Sequence, residues 1–149
     1  MPLEMEYYNR FPTVLKNALI TGAVKFPSSI QQEYTELTVY RGVSYSEKKT
    51  VIDKSDFFSN IERNIKNPMV PVDYENISDY SCSCYLKIDE LRMRAKFPRK
   101  NKAIAKGFIK KEFGPIDINR DTSHVDLYLF DEADPSEGFE VVEKWEKNG

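Results

Sequence analysis

The sequence is poor in the residues that most often bind metals or form disulfide bonds. Of its 149 residues one is histidine, His124, and two are cysteine, Cys82 and Cys84. The two cysteines would lie on the same face of one strand, with β-carbons too far apart for an unstrained disulfide. We therefore expect reduced, buried thiols. With so few nitrogen and sulfur ligands, the sequence argues against a structural zinc site and predicts no metal.

The chain also lacks long apolar segments and glycine-rich loops. No apolar run approaches the roughly 18 residues that a membrane-spanning helix needs. The start, Met1 to Glu6, has neither the basic nor the apolar region of a secretion signal. We therefore expect a soluble, cytoplasmic protein that does not bind membranes. The glycines are isolated from one another, so no Gly-rich phosphate loop is present.

The composition is typical of a globular domain. Hydrophobic residues make up 40% of the chain and aromatic residues 13%, which is too apolar for a disordered protein. A length of 149 residues fits one domain. Helical patterns come mostly early and strand patterns mostly late, an order that favours an α+β fold over alternating α/β architecture. The sequence thus predicts a single domain over 1–149, with a helical lead-in over 1–35 and a mixed sheet core over 36–149.

Residue spacing predicts four helices and five strands within this domain. The predicted helices cover residues 12–23, 28–34, 55–67 and 89–96, the last of them entered through an aspartate cap. The predicted strands cover residues 37–45, 80–85, 102–110, 125–130 and 139–145. The segment between the third and fourth strands is predicted to be a connection that turns at Gly114 and Pro115.

Two of these strands carry polar side chains opposite an apolar face. Strand side chains alternate between faces, so Ser81 and Ser83 point away from the two cysteines. By the same rule His124 and Asp126 point away from the valine and leucines that alternate with them. Polar groups left over in this way must face water, a partner or a substrate. They are the first candidates for a site, and ordinary surface or edge positions are the alternative for the serines.

Arg41 lies on a predicted strand among apolar residues of the same face. A guanidinium cannot be buried there without acceptors. It therefore meets either Asp126 or another acid, backbone carbonyls, or a bound phosphate, whose oxygens match the fork of arginine well. A Ser-His-Asp hydrolase is disfavoured, because His124 and Asp126 point the same way from one strand and no Gly-x-Ser-x-Gly motif exists. His124 could also be a satisfied polar residue at a strand start.

Charge is divided unevenly along the second half of the chain. Residues 87–111 contain ten Lys and Arg against two acids, and residues 112–149 contain eleven Asp and Glu against three bases. The basic segment could dock an acidic protein or nucleic acid, or the two segments could attract each other within the fold. Nucleic-acid binding usually needs aromatic residues among the cations, and the loop 96–102 offers only Phe97.

In order and spacing, these motifs resemble the ADP-ribosyltransferase superfamily, with its Arg, Ser-Thr-Ser and Glu-x-Glu elements. The corresponding segments are Tyr40-Arg41-Gly42, Ser81-Cys82-Ser83 and His124-Val125-Asp126. The similarity covers about residues 37–143, and the helices before it resemble the helical lead-in of that fold. The resemblance implies a split, mostly antiparallel sheet flanked by helices. It also implies NAD as the substrate and a macromolecular acceptor, as in an intracellular toxin or a modifier of host factors.

The resemblance also assigns roles to the five candidate residues. Arg41 would hold a phosphate or ribose of NAD, and Ser81 and Ser83 would support the nicotinamide ribose. Asp126 stands where the catalytic glutamate sits, and would stabilise the positive ribose that forms as nicotinamide leaves. His124 replaces the first acid of the motif and would position or deprotonate the acceptor.

Two departures from the family pattern leave other functions open. Asp126 is one methylene shorter than glutamate, and small displacements of a catalytic group are costly. The chain could therefore be a transferase with a changed acid motif, or the same scaffold without activity. The further alternatives are a non-catalytic binding module that docks through residues 87–111, and a structural or regulatory protein in which the polar cluster is an internal network.

Overall fold

The computed structural model describes residues 2–144, and within them the chain forms four α-helices and six β-strands. The helices are α1 (Pro2–Tyr8), α2 (Thr13–Thr21), α3 (Asn60–Lys66) and α4 (Ile88–Arg94). The strands are β1 (Leu37–Ser44), β2 (Cys82–Tyr85), β3 (Lys102–Ile109), β4 (Ile116–Asn119), β5 (His124–Leu127) and β6 (Glu140–Lys144). Trp145, which the sequence analysis placed in the last strand, lies outside the described residues. None of the helices in 2–144 is long and apolar enough to cross a membrane.

All six strands belong to one sheet, in the order β4-β5-β2-β1-β3-β6, and every neighbouring pair is antiparallel. The pairing divides the sheet into two three-stranded halves. β1 pairs with β3 over its whole length, whereas β1 and β2 share only the registered pair Tyr40 and Tyr85. The predicted α+β class and the split antiparallel sheet flanked by helices are therefore confirmed.

The core lies between the sheet and the helical segments that cover it. Alternate residues of the central strands, among them Val39, Val125 and Leu127, are fully buried. Cys82 and Cys84 are buried there as free thiols, which confirms the prediction. A second cluster joins α2 to the chain that follows β5; it consists of Phe11, Leu15, Ala18, Leu19, Val24, Ile61, Tyr80, Tyr128, Phe130 and Ala133. The apolar residues of β2 and β5 pack in the first cluster, and Tyr80 and Tyr128, which flank these strands, pack in the second, so the positions of both strands are fixed.

The predicted helix over 55–67 is interrupted in the structure. A single 3₁₀ turn covers Lys54–Phe57, and α3 begins separately at Asn60. Asp53 and Ser59 each form a capping box, in which the side chain accepts a hydrogen bond from the first turn that follows. Because Ser59 caps a new helix start, the chain at Phe58 is extended, and its carbonyl is left free for a partner.

Three further predictions of secondary structure are wrong, and two of them concern the edge of the sheet. Residues 28–34 form turns rather than a helix, because the backbone of Gln31 exchanges two hydrogen bonds with Ile116. Ile116 begins β4, an edge strand within the segment predicted to be a connection. The exposed edge thus gains a partner from the lead-in. The aspartate cap of α4 is also wrong, since the helix begins after Lys87 without a side-chain cap.

Candidate functional site

The gap between β1 and β2 is occupied by the side chain of Arg41. Its Nε donates to the carbonyl of Asp56 at 2.7 Å, and its Nη1 donates to the carbonyl of Ser83 at 2.5 Å. Nη2 lies 3.5 Å from the carbonyl of Phe58, which the break before α3 leaves free. Of the three kinds of acceptor that the sequence allowed, the structure therefore shows backbone carbonyls. Three of the five guanidinium N–H groups are used, and two remain for another acceptor.

Asp126 is the most buried ionisable residue of the candidate set, with 7% of its surface exposed, and its partner Ser81 is equally enclosed at 6%. The Ser81 hydroxyl donates to its Oδ1 at 2.6 Å, and the Ser78 hydroxyl reaches its Oδ2 at 3.3 Å. Burial raises the pKa of Asp126 above its ordinary value, while Ser81, His124 and Ser78 act in the opposite direction. Ser78 comes from the turn that precedes β2 and was not predicted from the sequence.

His124 lies beside Ser83 and Asp126 on the same surface of the sheet. Its Nε2 is 2.5 Å from the Ser83 hydroxyl and 3.7 Å from Oδ1 of Asp126, and its ring packs edge-on against Tyr85. In a Ser-His-Asp triad the two partners face different ring nitrogens. Here the same nitrogen faces both, so the arrangement is not a serine hydrolase relay.

The register of β2 against β5 explains why residues distant in sequence meet. Ser83 is directly opposite Asp126, and Tyr85 is directly opposite His124. Directly opposed residues of an antiparallel pair share a face, so the two polar sets predicted from alternation form one surface. This surface borders the gap that contains Arg41 because β2 is the neighbour of β1.

All five predicted site residues line one pocket of about 270 Å³. The serines, His124 and Asp126 form its wall on the β2–β5 side, and Arg41 forms the wall on the β1 side. The opposite rim consists of residues that the sequence analysis did not select, including Asn60 and Arg63 of α3 and Asp79. Asn60 and Arg63 lie on the polar side of α3, a position that the helical pattern leaves exposed and does not distinguish from any other polar helix surface.

The pocket continues into a second, basic cavity of about 440 Å³, and the two share Arg41, Gly42, Asn60, Arg63 and Ser83. Arg94, Arg99 and Lys102 complete its cationic lining, which contains no acidic residue. We call the two cavities together the groove. Burial lowers the pKa of Lys102, and the nearby charges of Arg63 and Arg99 lower it further.

Part of the charge asymmetry seen in the sequence is neutralised within the fold. Arg92 of the basic segment binds both carboxylate oxygens of Glu143 in β6, with the shortest distance 2.5 Å, and also pairs with Asp89. Hydrogen bonding to Arg92 lowers the pKa of Glu143. The two charged segments do attract each other, and Arg92 is thereby directed away from the groove lining.

Among the described residues no three His, Cys, Asp or Glu side chains form a group that could hold a metal ion. No protein-family model, curated protein or solved structure matches the chain.

Proposed function

We propose that this chain is an NAD-dependent ADP-ribosyltransferase that modifies a macromolecular acceptor. The observation that carries the proposal is that Arg41, Ser83 and Asp126, from three separate strands, line one pocket. These are the positions on which the resemblance to the superfamily depends. Scattered over different surfaces, they would have offered no common place for a substrate.

The groove has the donors and the room that a dinucleotide requires. Two N–H groups of Arg41 are not used by backbone carbonyls, and Arg63 shares the same part of the lining. A pyrophosphate is well matched by two neighbouring guanidinium groups. The cavities of about 270 and 440 Å³ are comparable to ligand sites of roughly 300 to 1,000 Å³. The nicotinamide ribose would then lie at the β2–β5 wall.

Transfer exchanges one bond to the ribose for another. The bond between the nicotinamide nitrogen and ribose C1′ breaks, and its electron pair stays on the nitrogen and neutralises the pyridinium charge. The acceptor forms a bond to C1′ and loses one proton, so that the products are the modified acceptor, nicotinamide and a proton. His124, which is half-buried at the pocket, is placed to receive that proton.

Asp126 would stabilise the positive charge that develops on the ribose. A carboxylate fixed before the reaction is effective because it does not have to reorient as the charge forms. Ser81 and Ser78 hold both of its oxygens in place and, with His124, favour its ionised form against the effect of burial. These contacts support the role of Asp126 despite its shorter side chain.

The proposal is tested by replacing Asp126 with asparagine, which has the same shape without the charge. Nicotinamide release should fall by about 10² to 10³-fold. Binding should persist, seen as an NAD-dependent rise in melting temperature that follows RT ln(1 + [NAD]/Kd). Asp117→Asn is the matched control, because Asp117 lies directly opposite Asp126 on β4 but contacts Ser29 and does not line the pocket.

Two results would contradict the proposal. One is unchanged nicotinamide release in Asp126→Asn, since the reaction would then not need this carboxylate. The other is a wild-type protein whose melting temperature does not respond to NAD at any concentration that can be reached in solution.

A further inference from the structure

A second depression adjoins the groove and is also basic. It has a volume of about 880 Å³ and lies between residues 44–49, which include the last residue of β1, and residues 100–102, which include the first residue of β3. Lys102 lines both this depression and the groove, so the two meet at this side chain. The depression adds Lys48, Lys49 and Lys100 to the cations of the groove, and Glu47 is its single acidic lining residue.

The number of cations exceeds what a dinucleotide can neutralise. The groove contributes Arg41, Arg63, Arg94, Arg99 and Lys102, and the depression contributes three more lysines. Within residues 5–144, whose side chains are described, only two of these eight contact a carboxylate, through the pairs Lys49–Asp56 and Arg94–Glu90. The pyrophosphate of NAD carries about two negative charges, so the remaining cations suit a ligand with a longer series of phosphates.

Aromatic side chains lie next to these cations, although the basic segment itself contains only Phe97. The fold brings Tyr85 from β2 into the groove beside Phe97, and it brings Tyr45 into the depression. All three are half-buried, so each is held by the fold while part of its surface remains accessible. A cationic path with aromatic surfaces at intervals is typical of proteins that bind single-stranded nucleic acid, whose unpaired bases stack on the rings.

We propose that the depression and the adjoining basic part of the groove bind single-stranded nucleic acid. The strand lies along Lys48, Lys100 and Arg99 and passes Lys102 toward the reaction centre. An acidic protein would use the charges but not the aromatic surfaces, and a duplex would not expose its bases to them. The strand is also the acceptor, and this part of the inference rests on the proposed transferase activity.

Binding is tested with a fluorescently labelled oligothymidylate and the 149-residue chain, by fluorescence anisotropy in the absence of NAD. The logarithm of the association constant should fall with the logarithm of the salt concentration, with a slope of about −0.7 for each phosphate contacted. Contacts from Lys48, Arg99, Lys100 and Lys102 predict a slope of about −3.

Charge reversal locates the surface. In the triple variant K48E/R99E/K100E, all three positions are exposed, and the affinity at ~0.1 M salt should fall by at least about 100-fold. The matched control is K16E/K25E/K106E, which changes the net charge equally at residues that line neither the groove nor the depression. The control should retain its affinity to within about threefold, and both variants should keep the wild-type melting temperature to show that they fold.

The outcomes separate this inference from the proposed function. Failure to bind the oligonucleotide at low salt, equal losses in both triple variants, or preference for an acidic polypeptide or a duplex would each overturn the nucleic-acid inference. A normal response of the melting temperature to NAD would leave the transferase proposal standing in those cases. Conversely, oligonucleotide binding without any response to NAD would support the nucleic-acid surface and overturn the acceptor role together with the transferase proposal.

Discussion

At the β2–β5 wall of the groove, Ser81, Ser83, His124 and Asp126 are all hydrogen-bonded to one another or to their neighbours. At the basic end, Arg99 and Lys102 face the cavity without a carboxylate partner among the described side chains. The first region is organised before any ligand arrives. The second contains cations that a polyanionic ligand can neutralise. Preorganised groups suit chemistry, whereas unneutralised charges suit binding.

Arg41 belongs to both regions, because it holds the sheet together and also borders the cationic cavity. Arg41→Ala removes two short charge-assisted hydrogen bonds to backbone carbonyls, and it should lower the free energy of unfolding by about 3 kcal/mol. It should also abolish stabilisation by NAD. Chemical denaturation with and without NAD measures both effects.

Arg41→Lys is the control for this substitution, since it keeps the charge but loses the fork that reaches several acceptors at once. Its unfolding free energy should lie between those of wild type and alanine. If Arg41→Ala is as stable as wild type, Arg41 does not hold the sheet as described. If its response to NAD is intact, Arg41 does not bind the phosphates.

The buried carboxyl of Asp126 in the β2–β5 wall should make the stability of the protein depend on pH. Burial raises the folded-state pKa of Asp126, so its contribution to stability is complete below the unfolded value of about 4 and is lost as pH rises through the folded pKa. The melting temperature of Asp126→Asn relative to wild type should therefore increase as pH rises from about 4.

Ser81→Ala sharpens this test, because the hydroxyl favours the ionised form of Asp126. Its removal should move the pH-dependent loss of stability to higher pH. A difference between Asp126→Asn and wild type that stays constant from pH 4 to 7 would mean that burial does not disfavour the charge.

The smallest change in the free energy of unfolding is expected from a substitution at the basic end of the groove. This change should be an increase, whereas substitution of Arg41 should cause a decrease. Lys102 is half-buried near Arg63 and Arg99, so Lys102→Met should raise the free energy of unfolding by up to about 0.5 kcal/mol. The same change should weaken oligonucleotide binding. Thermal melting and anisotropy together distinguish this trade between stability and binding from simple structural damage. If Lys102→Met is less stable than wild type, Lys102 is stabilised by contacts within the fold, as the residues of the β2–β5 wall are.

Alternation along strands was sufficient to predict which polar side chains share a face. It could not predict that Ser83 is opposite Asp126, because register depends on the packing of both apolar faces. Nor could it predict the carbonyl partners of Arg41, which depend on where β1 and β2 separate and on the extended chain at Phe58.

The prediction of one continuous helix over 55–67 was wrong because apolar spacing does not show where a side chain will bind the backbone. Its apolar spacing is helical, but the side chain of Ser59 competes for the backbone and restarts the helix. β4 was missed because it is short and follows Gly114 and Pro115, which mark a turn in the sequence. The aromatic lining of the basic cavities was missed because Tyr45 and Tyr85 lie outside the basic segment and reach it only through folding.

A sheet joined at one residue pair should respond unevenly to mechanical force. Eight registered pairs hold β1 to β3, and four hold β2 to β5, but only Tyr40 and Tyr85 connect the halves by backbone register. Under tension across the strands the halves would part along that line first, and each half would stay intact. A substrate bound at that line would contact both halves of the sheet and would therefore raise the force needed to separate them.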